Sequence, residues 1–420
     1  MKNIETLCCE AKSASHSLAV TESNKKDHFL SILADWLIGH QDKIIHENEK
    51  DIADGRANAL SDALIDRLTL TSKRIEGVSD DLRHVISLPD PVGEIFEEQT
   101  GQQGMKIRKQ RVPLGVLAVI YESRPNVTID VAALAIKSGN AIILRGGKET
   151  ICSNQVLVEG IHASLRKAGL PQDAVQFISE PDRDHVKELL KMHQYVDMLI
   201  PRGGAGLHNY CRENSTIPVI TGGIGICHLF VDKSADIAQS INVIRNAKIQ
   251  RPTVCNALDT VLVHKAVAEK LIPGLIQTLK QDGVSFRLDP AAMMLTSGSD
   301  SAVVKPAGEG DFDTEWLSLV LGIKVVEDVN QAINHIASHS THHSDGILTM
   351  DSFNAEKFTA LVDSAAVYVN ASTRFTDGSQ LGLGAEVAIS TQRLHARGPM
   401  ALRELTTYKW VIEGDYTVRF

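Results

Sequence analysis

The chain has 420 residues, of which 43% are hydrophobic and 23% charged, with a net charge of −9. A chain of this length and apolar content predicts two or three domains of about 150 residues each. The acidic balance argues against a nucleic-acid partner, which requires a basic face. No apolar run reaches the roughly 18 residues of a membrane helix, and the N-terminus lacks the apolar core of a signal peptide. Since six irregularly spaced cysteines make no disulfide framework, we expect a reduced cytoplasmic protein without a membrane partner.

The first part of the chain reads as helices followed by a hairpin. Residues 1–88 show the apolar spacing of amphipathic helices. Residues 92–112 then alternate around a turn at 101–104, which predicts a β-hairpin. An extended hairpin beside the main fold is a candidate oligomerisation arm, with a surface flap as the alternative. Residues 408–420 predict a second hairpin or arm.

From Leu114 onward the pattern alternates between apolar runs and helical segments. The predicted strands and helices of this first alternation are, in chain order, 115–121, 126–138, 141–144, 151–168, 175–178, 184–193 and 196–200. A second alternation from Cys227 predicts strands at 227–231 and 260–263 and helices at 235–247 and 265–280. Right-handed crossovers between such strands give doubly wound sheets. We therefore predict an α/β protein with two doubly wound domains and a hairpin arm.

Three glycine-rich turns follow apolar segments of the first alternation. They span Arg145–Lys148, Pro201–Gly206 and Thr221–Gly225, whereas the G-x-G-x-x-G and Walker fingerprints are absent. In a parallel sheet, ligands bind beyond the carboxyl ends of the strands. Glycine lets the backbone approach an anion, and the first two turns also carry a cation. These turns predict a nucleotide phosphate site; the alternative is that tight turns require glycine in any case.

A cysteine between a predicted helix and a predicted strand is the candidate nucleophile. Cys255 lies in a loop that Pro252 stiffens, with Gln250, Arg251 and Asn256 as polar neighbours. A nearby cation and backbone N–H groups favour the reactive thiolate. The alternative is a small buried apolar residue, as most cysteines are.

Histidines offer two further chemistries. Four histidines fall within 335–343, but no carboxylate accompanies them in a metal-ligand spacing, so we expect no metal site. A cysteine hydrolase would need a histidine base beside Cys255, for which His228 and His264 are candidates.

Four segments together resemble the aldehyde dehydrogenase superfamily and, within it, the γ-glutamyl phosphate reductase family. They are Ser138–Glu149, Asn246–Asn256, His335–Ile347 and Leu394–Met400. The resemblance implies an NADP-binding domain, a catalytic domain with Cys255 as nucleophile, and an oligomerisation arm. These parts would be, respectively, residues 1–97 with 113–224, residues 225–385, and residues 98–112 with 405–420, while 386–404 returns toward the cofactor domain.

Departures from the wider superfamily refine the expected reaction. Ile220 stands where oxidising members carry the Glu that activates water, so the thioester is expected to exchange with phosphate. Lys148 replaces an acid that contacts the adenosine ribose, which favours the 2′-phosphate of NADP(H) over NAD(H). Ser123 falls near the place of the side-chain oxyanion donor. Glu315 matches the residue that holds the nicotinamide ribose.

The resemblance implies NADPH-dependent reduction of L-glutamate 5-phosphate to L-glutamate 5-semialdehyde and phosphate, the second step of proline biosynthesis from glutamate. Cys255 would carry the acyl group, with Asn256 or Ser123 assisting its backbone N–H as oxyanion donor. The alternative is a non-phosphorylating aldehyde dehydrogenase. Expected partners are a second copy of the chain and glutamate 5-kinase. The candidate cofactor-binding residues are Arg145, Gly146, Gly147, Lys148, Arg202, Gly203, Gly204, Gly222, Gly223 and Glu315, and the candidate substrate-binding residues are Arg124, Asn126, Arg251 and Arg374.

Overall fold

The computed structural model describes residues 3–296 and 302–419. The chain forms two compact units. Unit 1 comprises Met1–Thr221, Gly382–Ala388 and Met400–Phe420, and unit 2 comprises Gly222–Leu381 and Ile389–Pro399. Residues 297–301 of the predicted catalytic domain lie outside the described residues.

Helices and strands alternate along most of the chain. The helices are α1 (Ile4–Leu18), α2 (Ser23–Gly39), α3 (Gln41–Ala57), α4 (Asp62–Leu68), α5 (Ser72–Ser87), α6 (Asn126–Lys137), α7 (Ile151–Lys167), α8 (Arg183–Leu189), α9 (Ala205–Asn214), α10 (Ile237–Ile249), α11 (Lys265–Gln281), α12 (Pro290–Met294), α13 (Val329–His339) and α14 (Ser352–Leu361). The strands are β1 (Ile95–Thr100), β2 (Lys106–Pro113), β3 (Val116–Tyr121), β4 (Ala141–Arg145), β5 (Val175–Phe177), β6 (Met198–Arg202), β7 (Cys227–Val231), β8 (Leu258–His264), β9 (Ser285–Leu288), β10 (Val304–Pro306), β11 (Val320–Val326), β12 (Ser344–Leu348), β13 (Ala366–Val369), β14 (Ala388–Ser390), β15 (Gly398–Met400) and β16 (Thr406–Glu413).

Unit 1 is built on a parallel sheet in the order β5-β4-β3-β6. Every residue of β3 is buried, as expected of a strand covered by helices on both faces. The strands continue into loops at the same edge of the sheet, so the chain segments after β3, β4 and β6 are neighbours. This edge is where a doubly wound sheet binds ligands.

Unit 2 contains a second parallel sheet, in the order β10-β9-β11-β8-β7-β12-β13. Its side chains alternate between two cores: Leu229 and Val231 of β7 pack on one face, and Phe230 packs on the other. Helix α10 begins after Asp236, whose carboxylate accepts from the N–H of Gln239. The sheet thus holds the end of α10 and the start of β8 in fixed places.

A separate antiparallel sheet joins both predicted arm segments in the order β1-β2-β16. Strands β1 and β2 form the hairpin predicted from residues 92–112. The C-terminal segment contributes one strand, β16, where the sequence predicted a second hairpin or an arm. It runs antiparallel to β2, with Thr406 opposite Pro113 and Glu413 opposite Lys106. The predicted fold class, α/β with two wound sheets and a hairpin arm, is confirmed.

Candidate active site

The predicted nucleophile lies in the loop between α10 and β8, residues 250–257, which we call the nucleophile loop. The Cys255 side chain is half-exposed, but its carbonyl packs tightly against Gly225. A Cβ on Gly225 would lie 1.5 Å from the carbonyl oxygen of Cys255, so only glycine fits there. The Cys227 thiol donates to the same oxygen at 3.2 Å. These contacts fix the backbone of the nucleophile.

A buried ion pair closes the base of the nucleophile loop. The Lys248 ammonium lies 3.4 Å from the Asp259 carboxylate, and the two side chains are 0% and 3% exposed. Lys248 also donates to the Leu258 carbonyl at 2.8 Å, and Asp259 accepts from the Trp316 N–H at 3.2 Å. Burial raises the pKa of Asp259 to about 6 and lowers the pKa of Lys248. Because neither partner can be removed without leaving a buried charge unpaired, the pair sets the spacing of the loop ends.

Asn256 ties the nucleophile loop to residues 373–376. Its side-chain amide donates to the carbonyl of Thr376 at 2.8 Å and more weakly to that of Arg374 at 3.4 Å. The Thr373 hydroxyl donates to the Asn256 carbonyl at 2.7 Å. The amide hydrogens of Asn256 therefore already have backbone acceptors. This geometry favours a positioning role for Asn256, and its predicted role as oxyanion donor stays a prediction.

Two arginines bring positive charge to the nucleophile. The Arg374 guanidinium donates from Nε to the Gln250 side-chain oxygen at 3.0 Å. Burial and then the charge of Arg251 lower the pKa of Arg374, while Cys255 and Asp377 act in the opposite direction. These interactions require Arg251, Cys255 and Asp377 to lie within charge range of Arg374. Arg251, Cys255 and Arg374, which the sequence nominated separately, are thus neighbours in unit 2.

Glu315 is connected to the nucleophile loop through Gly225. Its carboxylate accepts from the Gly225 N–H at 2.9 Å, and Gly225 packs on the Cys255 carbonyl. Burial raises the pKa of Glu315. The neighbouring Trp316 donates its N–H to Asp259, so one buried network holds both the acid and the loop.

At the ligand-binding edge of unit 1, the turn after β4 carries two cations. The half-buried Arg145 donates from Nη2 to the Pro181 carbonyl at 3.0 Å, and burial lowers its pKa. Lys148 is exposed at the start of the loop to α7. A Cβ on Gly146 would lie 2.1 Å from the Asn154 side chain. The turn thus fits a negatively charged ligand beside Arg145 and Lys148.

A carboxylate, that of Glu149, lies at the same edge. Glu149 accepts from the N–H and the hydroxyl of Ser123 at 2.8 and 2.7 Å, and a Cβ on Gly147 would lie 2.2 Å from Glu149. Ser123 has a φ of +40°, a strained value for a residue with a side chain. Its predicted oxyanion role stays a prediction, because its hydroxyl already has an acceptor.

The turn after β6 has an acid beside it as well. Glu122 accepts from the Gly204 N–H at 3.3 Å, and a Cβ on Gly203 would lie 2.5 Å from the Glu122 carboxylate. Arg202, the last residue of β6, is half-buried. A phosphate predicted at Arg202, Gly203 and Gly204 would therefore meet the carboxylate of Glu122.

The third glycine turn differs from the first two. It precedes β7, and the segment before it forms an isolated bridge from Val219 to Leu199. A Cβ on Gly222 would lie 2.1 Å from the Ile389 carbonyl oxygen, and Gly223 has a φ of +81°. Close packing and backbone conformation explain both glycines without a cofactor, so their predicted binding role stays a prediction.

Two further candidates follow β3: Arg124 lies in the loop, and Asn126 is the first residue of α6. The Asn126 amide donates to the Asp130 carboxylate at 2.9 Å. Burial, followed by the charge of Asp81, raises the pKa of Asp130 to about 7. Arg124 is half-buried just before α6. Both residues belong to unit 1, and their predicted contact with substrate stays a prediction.

The histidines have structural partners. The rings of His335 and His339 are 4.2 Å apart on α13. In the part of the chain that the structure describes, no three His, Cys, Asp or Glu side chains are grouped to hold a metal ion. His228 is fully buried and lies 2.9 Å from Asp345, and the His264 ring accepts from the Ala266 N–H at 3.1 Å. These bonds weigh against either histidine as the base of a cysteine hydrolase.

Comparison with known proteins decides the family. A model described as the aldehyde dehydrogenase family matches residues 1–305. A γ-glutamyl phosphate reductase of Photobacterium profundum is 55% identical over 99% of this chain and 100% of its own. One of Vibrio cholerae is 56% identical over 97% of this chain and 98% of its own. The chain belongs to the aldehyde dehydrogenase family.

Solved structures agree with this membership. A γ-glutamyl phosphate reductase from Thermotoga maritima is 43% identical, covers 100% of both chains and has a TM-score of 0.97. An acetylating aldehyde dehydrogenase from Geobacillus thermoglucosidasius, at 18% identity and a TM-score of 0.71, shares the aldehyde dehydrogenase fold. Within residues 3–296 and 302–419, none of the helices combines the length and hydropathy that a bilayer-spanning segment needs.

Sequence reasoning about this aldehyde dehydrogenase missed three supporting residues. Gly225 was noted only as part of a turn, and Lys248 and Asp259 were not singled out. Lys248 lies in the segment Asn246–Asn256 and Gly225 in the turn Thr221–Gly225, and both segments have other motifs. Lys248 and Asp259 lie eleven residues apart in the sequence, on either side of Cys255. This spacing is not typical of any motif, because the two residues form a pair only when the loop between them folds back.

Proposed function

We propose that this protein is an NADPH-dependent reductase that converts L-glutamate 5-phosphate into L-glutamate 5-semialdehyde and phosphate. The observation that carries the proposal is the nucleophile loop, in which the half-buried Cys255 has a fixed backbone and lies within charge range of Arg374. Relatives named γ-glutamyl phosphate reductase, 55% and 56% identical over nearly the full chain, support the substrate.

The chain's own residues carry the acyl transfer. The Cys255 thiolate attacks the acyl carbon, a C–S bond forms, and the C–O bond breaks with its electron pair leaving on phosphate. A bound nicotinamide cofactor supplies the hydride that reduces the resulting thioester. Collapse of the thiohemiacetal then breaks the C–S bond, regenerates the Cys255 thiolate and frees the aldehyde. The backbone N–H of Cys255 would hold the oxyanion, because the amide of Asn256 and the hydroxyl of Ser123 are engaged elsewhere.

Arg251 and Arg374 would bind different charged groups of the substrate. Arg251 is exposed at the start of the nucleophile loop and would bind the departing phosphate. Arg374, held by Gln250, would bind the α-carboxylate, and Asp377 would accept from the α-ammonium. Guanidinium groups bind carboxylate and phosphate with two parallel hydrogen bonds, which suits both tasks. Arg124 and Asn126 stay predicted substrate-binding residues.

The cofactor proposed is NADP(H). Arg145 and exposed Lys148 after β4 would bind the 2′-phosphate through their side chains. The predicted role of Gly146 and Gly147 has less support, because Asn154 and the Glu149 carboxylate fill the space beside them. Glu315 would accept from the nicotinamide ribose. The carboxylate of Glu122 argues against a phosphate at Gly203–Gly204. None of the proposed steps requires a metal ion.

We also propose that the enzyme is oligomeric and cytoplasmic. Tyr408, Trp410 and Ile412 of β16 are 46%, 51% and 60% exposed, which supports the arm as a contact with a second copy. A glutamate 5-kinase partner would deliver the acyl phosphate before water hydrolyses it.

A test of the function runs the reaction backwards. Glutamate 5-semialdehyde and NADP⁺ are supplied with and without inorganic phosphate, and NADPH absorbance is followed. We expect turnover that requires phosphate, is lost in Cys255→Ala and persists in Cys9→Ala, which removes an exposed thiol. Phosphate-independent turnover would instead support a non-phosphorylating aldehyde dehydrogenase. Ile220, 2% exposed and without a basic group, counts against that second candidate.

A further inference from the structure

Unit 2 contains a cavity of about 290 Å³ that none of the proposed catalytic residues lines. It lies between α13, the end of α14 and the segment 391–397. One wall is aliphatic and includes Ile333, Ile336 and Leu361. Asp363, Arg393 and Arg397 form a charged part of the lining, which we call the charged wall. The cavity therefore combines apolar and charged groups, as a site for an amphipathic small molecule does.

The charged wall has a surplus of positive charge. Asp363 accepts from Nη1 of Arg397 at 2.8 Å and forms a second ion pair with Arg393. The hydrogen bond from Arg397, against a smaller effect of burial, holds the pKa of Asp363 below its usual range. Two guanidinium groups face one carboxylate, which leaves a formal charge of +1. An occupant with a single negative charge would neutralise this wall.

One donor of this wall lacks an acceptor. Nε of Arg397 is buried and has no hydrogen-bond partner among the described residues, although Nη1 and Nη2 of the same group are bonded to Asp363. A buried N–H without an acceptor is costly. Arg393 is bonded to Asp363 through Nη2, and its side chain is 78% exposed, which leaves it able to turn toward a ligand.

We propose that this cavity binds a small aliphatic monocarboxylate. The carboxylate would accept from Arg393 and Arg397, and the hydrocarbon chain would pack against Ile333, Ile336 and Leu361. An amine is disfavoured because Asp363, the acid of the charged wall, is already paired twice. A neutral alcohol would leave the surplus charge unmatched. The inference does not depend on the proposed reductase activity.

The test uses butyrate as the probe. In protein with labelled isoleucine and leucine methyl groups, NMR spectra are recorded during a butyrate titration at constant ionic strength. We expect saturable shifts of the Leu361 and Ile333 methyl signals, and no comparable shifts with 1-butanol or n-butylamine. Arg393→Gln should weaken binding about tenfold, as loss of a charge-assisted hydrogen bond predicts. Arg83→Gln removes a 48% exposed arginine of a surface ion pair in unit 1 and should change nothing.

Three results would overturn the proposal: no saturable shift with butyrate, equal shifts with 1-butanol, or unchanged affinity in Arg393→Gln. Any of these results would mean that the ion pairs of Arg393, Asp363 and Arg397 stabilise the fold and bind no carboxylate. Since the spectra require no turnover, the outcome is independent of whether glutamate 5-semialdehyde is a substrate.

Discussion

Gly225 packs so closely against the Cys255 carbonyl that a side chain at this position would displace the nucleophile. Its missing side chain admits the Cys255 carbonyl, and its N–H donates to Glu315. Gly225→Ala should lower kcat of the reductase about 100-fold, because ångström-scale displacement of a reacting group costs that much. Steady-state rates on the parent and variant measure this loss. The control is Gly77→Ala on α5, where a Cβ meets nothing within 4 Å; equal losses in both variants would contradict the argument.

Lys148 offers a test of cofactor choice. Because the residue is exposed, Lys148→Glu should leave the fold intact and place a negative charge beside the 2′-phosphate. The ratio of kcat/KM for NADP⁺ to that for NAD⁺ should fall at least about tenfold, which corresponds to about 1.4 kcal/mol. Lys305→Glu reverses an exposed charge in unit 2 and serves as the control. A ratio that stays the same in Lys148→Glu would remove this residue from the 2′-phosphate site.

The buried ion pair of Lys248 and Asp259 links the end of α10 to the start of β8. Lys248→Met should lower the free energy of unfolding by about 3 kcal/mol, because Asp259 is left buried and unpaired. Lys248→Met combined with Asp259→Leu should recover part of this loss. Urea unfolding measures both. The exposed pair of Lys265 and Glu327 is the control, since Lys265→Met should cost less than about 1 kcal/mol.

Helix α6 contains a carboxyl group that links stability to pH. The pKa of Asp130 is raised to about 7, above its value in the unfolded chain, so the folded protein binds the proton more tightly. Stability from this group is therefore present at low pH and falls as pH rises toward 7. Urea midpoints between pH 5 and 8 should fall less steeply in Asp130→Asn than in the parent. Parallel slopes would show that Asp130 titrates normally.

At the level of elements, much of the fold could be predicted from the sequence. Apolar runs located β3 and β4 to within a residue, because strands buried on both faces leave an unbroken apolar signature. Helix α8 ends at Leu189, four residues before its predicted end. Turns follow it and replace the hydrogen bonds that would have continued the helix. The pairing of β16 with β2 joins residues about 300 positions apart, and local patterns do not encode such partners.

The site was predictable where chemistry has a local signature. Cys255 and Arg251 could be nominated from one loop, whereas the contact of Asn256 with Thr376 required the folded chain. The acids Glu122 and Glu149 lie where anion sites were predicted, and only the turns' three-dimensional arrangement revealed them.

For the whole molecule, the arm sheet predicts self-association. Lys109 lies 4.6 Å and 4.9 Å from the ring centroids of Tyr408 and Trp410, so the exposed rings are held in one orientation. Light scattering should give a mass that is a multiple of the 45.7 kDa chain. Trp410→Glu with Ile412→Glu should reduce it toward a single chain. A parent protein of single-chain mass would rule out this role for the arm.

The burial of the thiols also makes the protein suited to chemical proteomics. Burial raises the pKa of Cys8 to about 12 and that of both Cys152 and Cys211 to about 11, and it also raises the pKa of Cys227 well above its usual value. An electrophilic probe at neutral pH would therefore report mainly on exposed Cys9 and half-exposed Cys255. Peptide mapping separates these two, so Cys9 serves as an internal standard. Occupancy of the nucleophile by an acyl group could then be read in a cell extract, without purification or mutation.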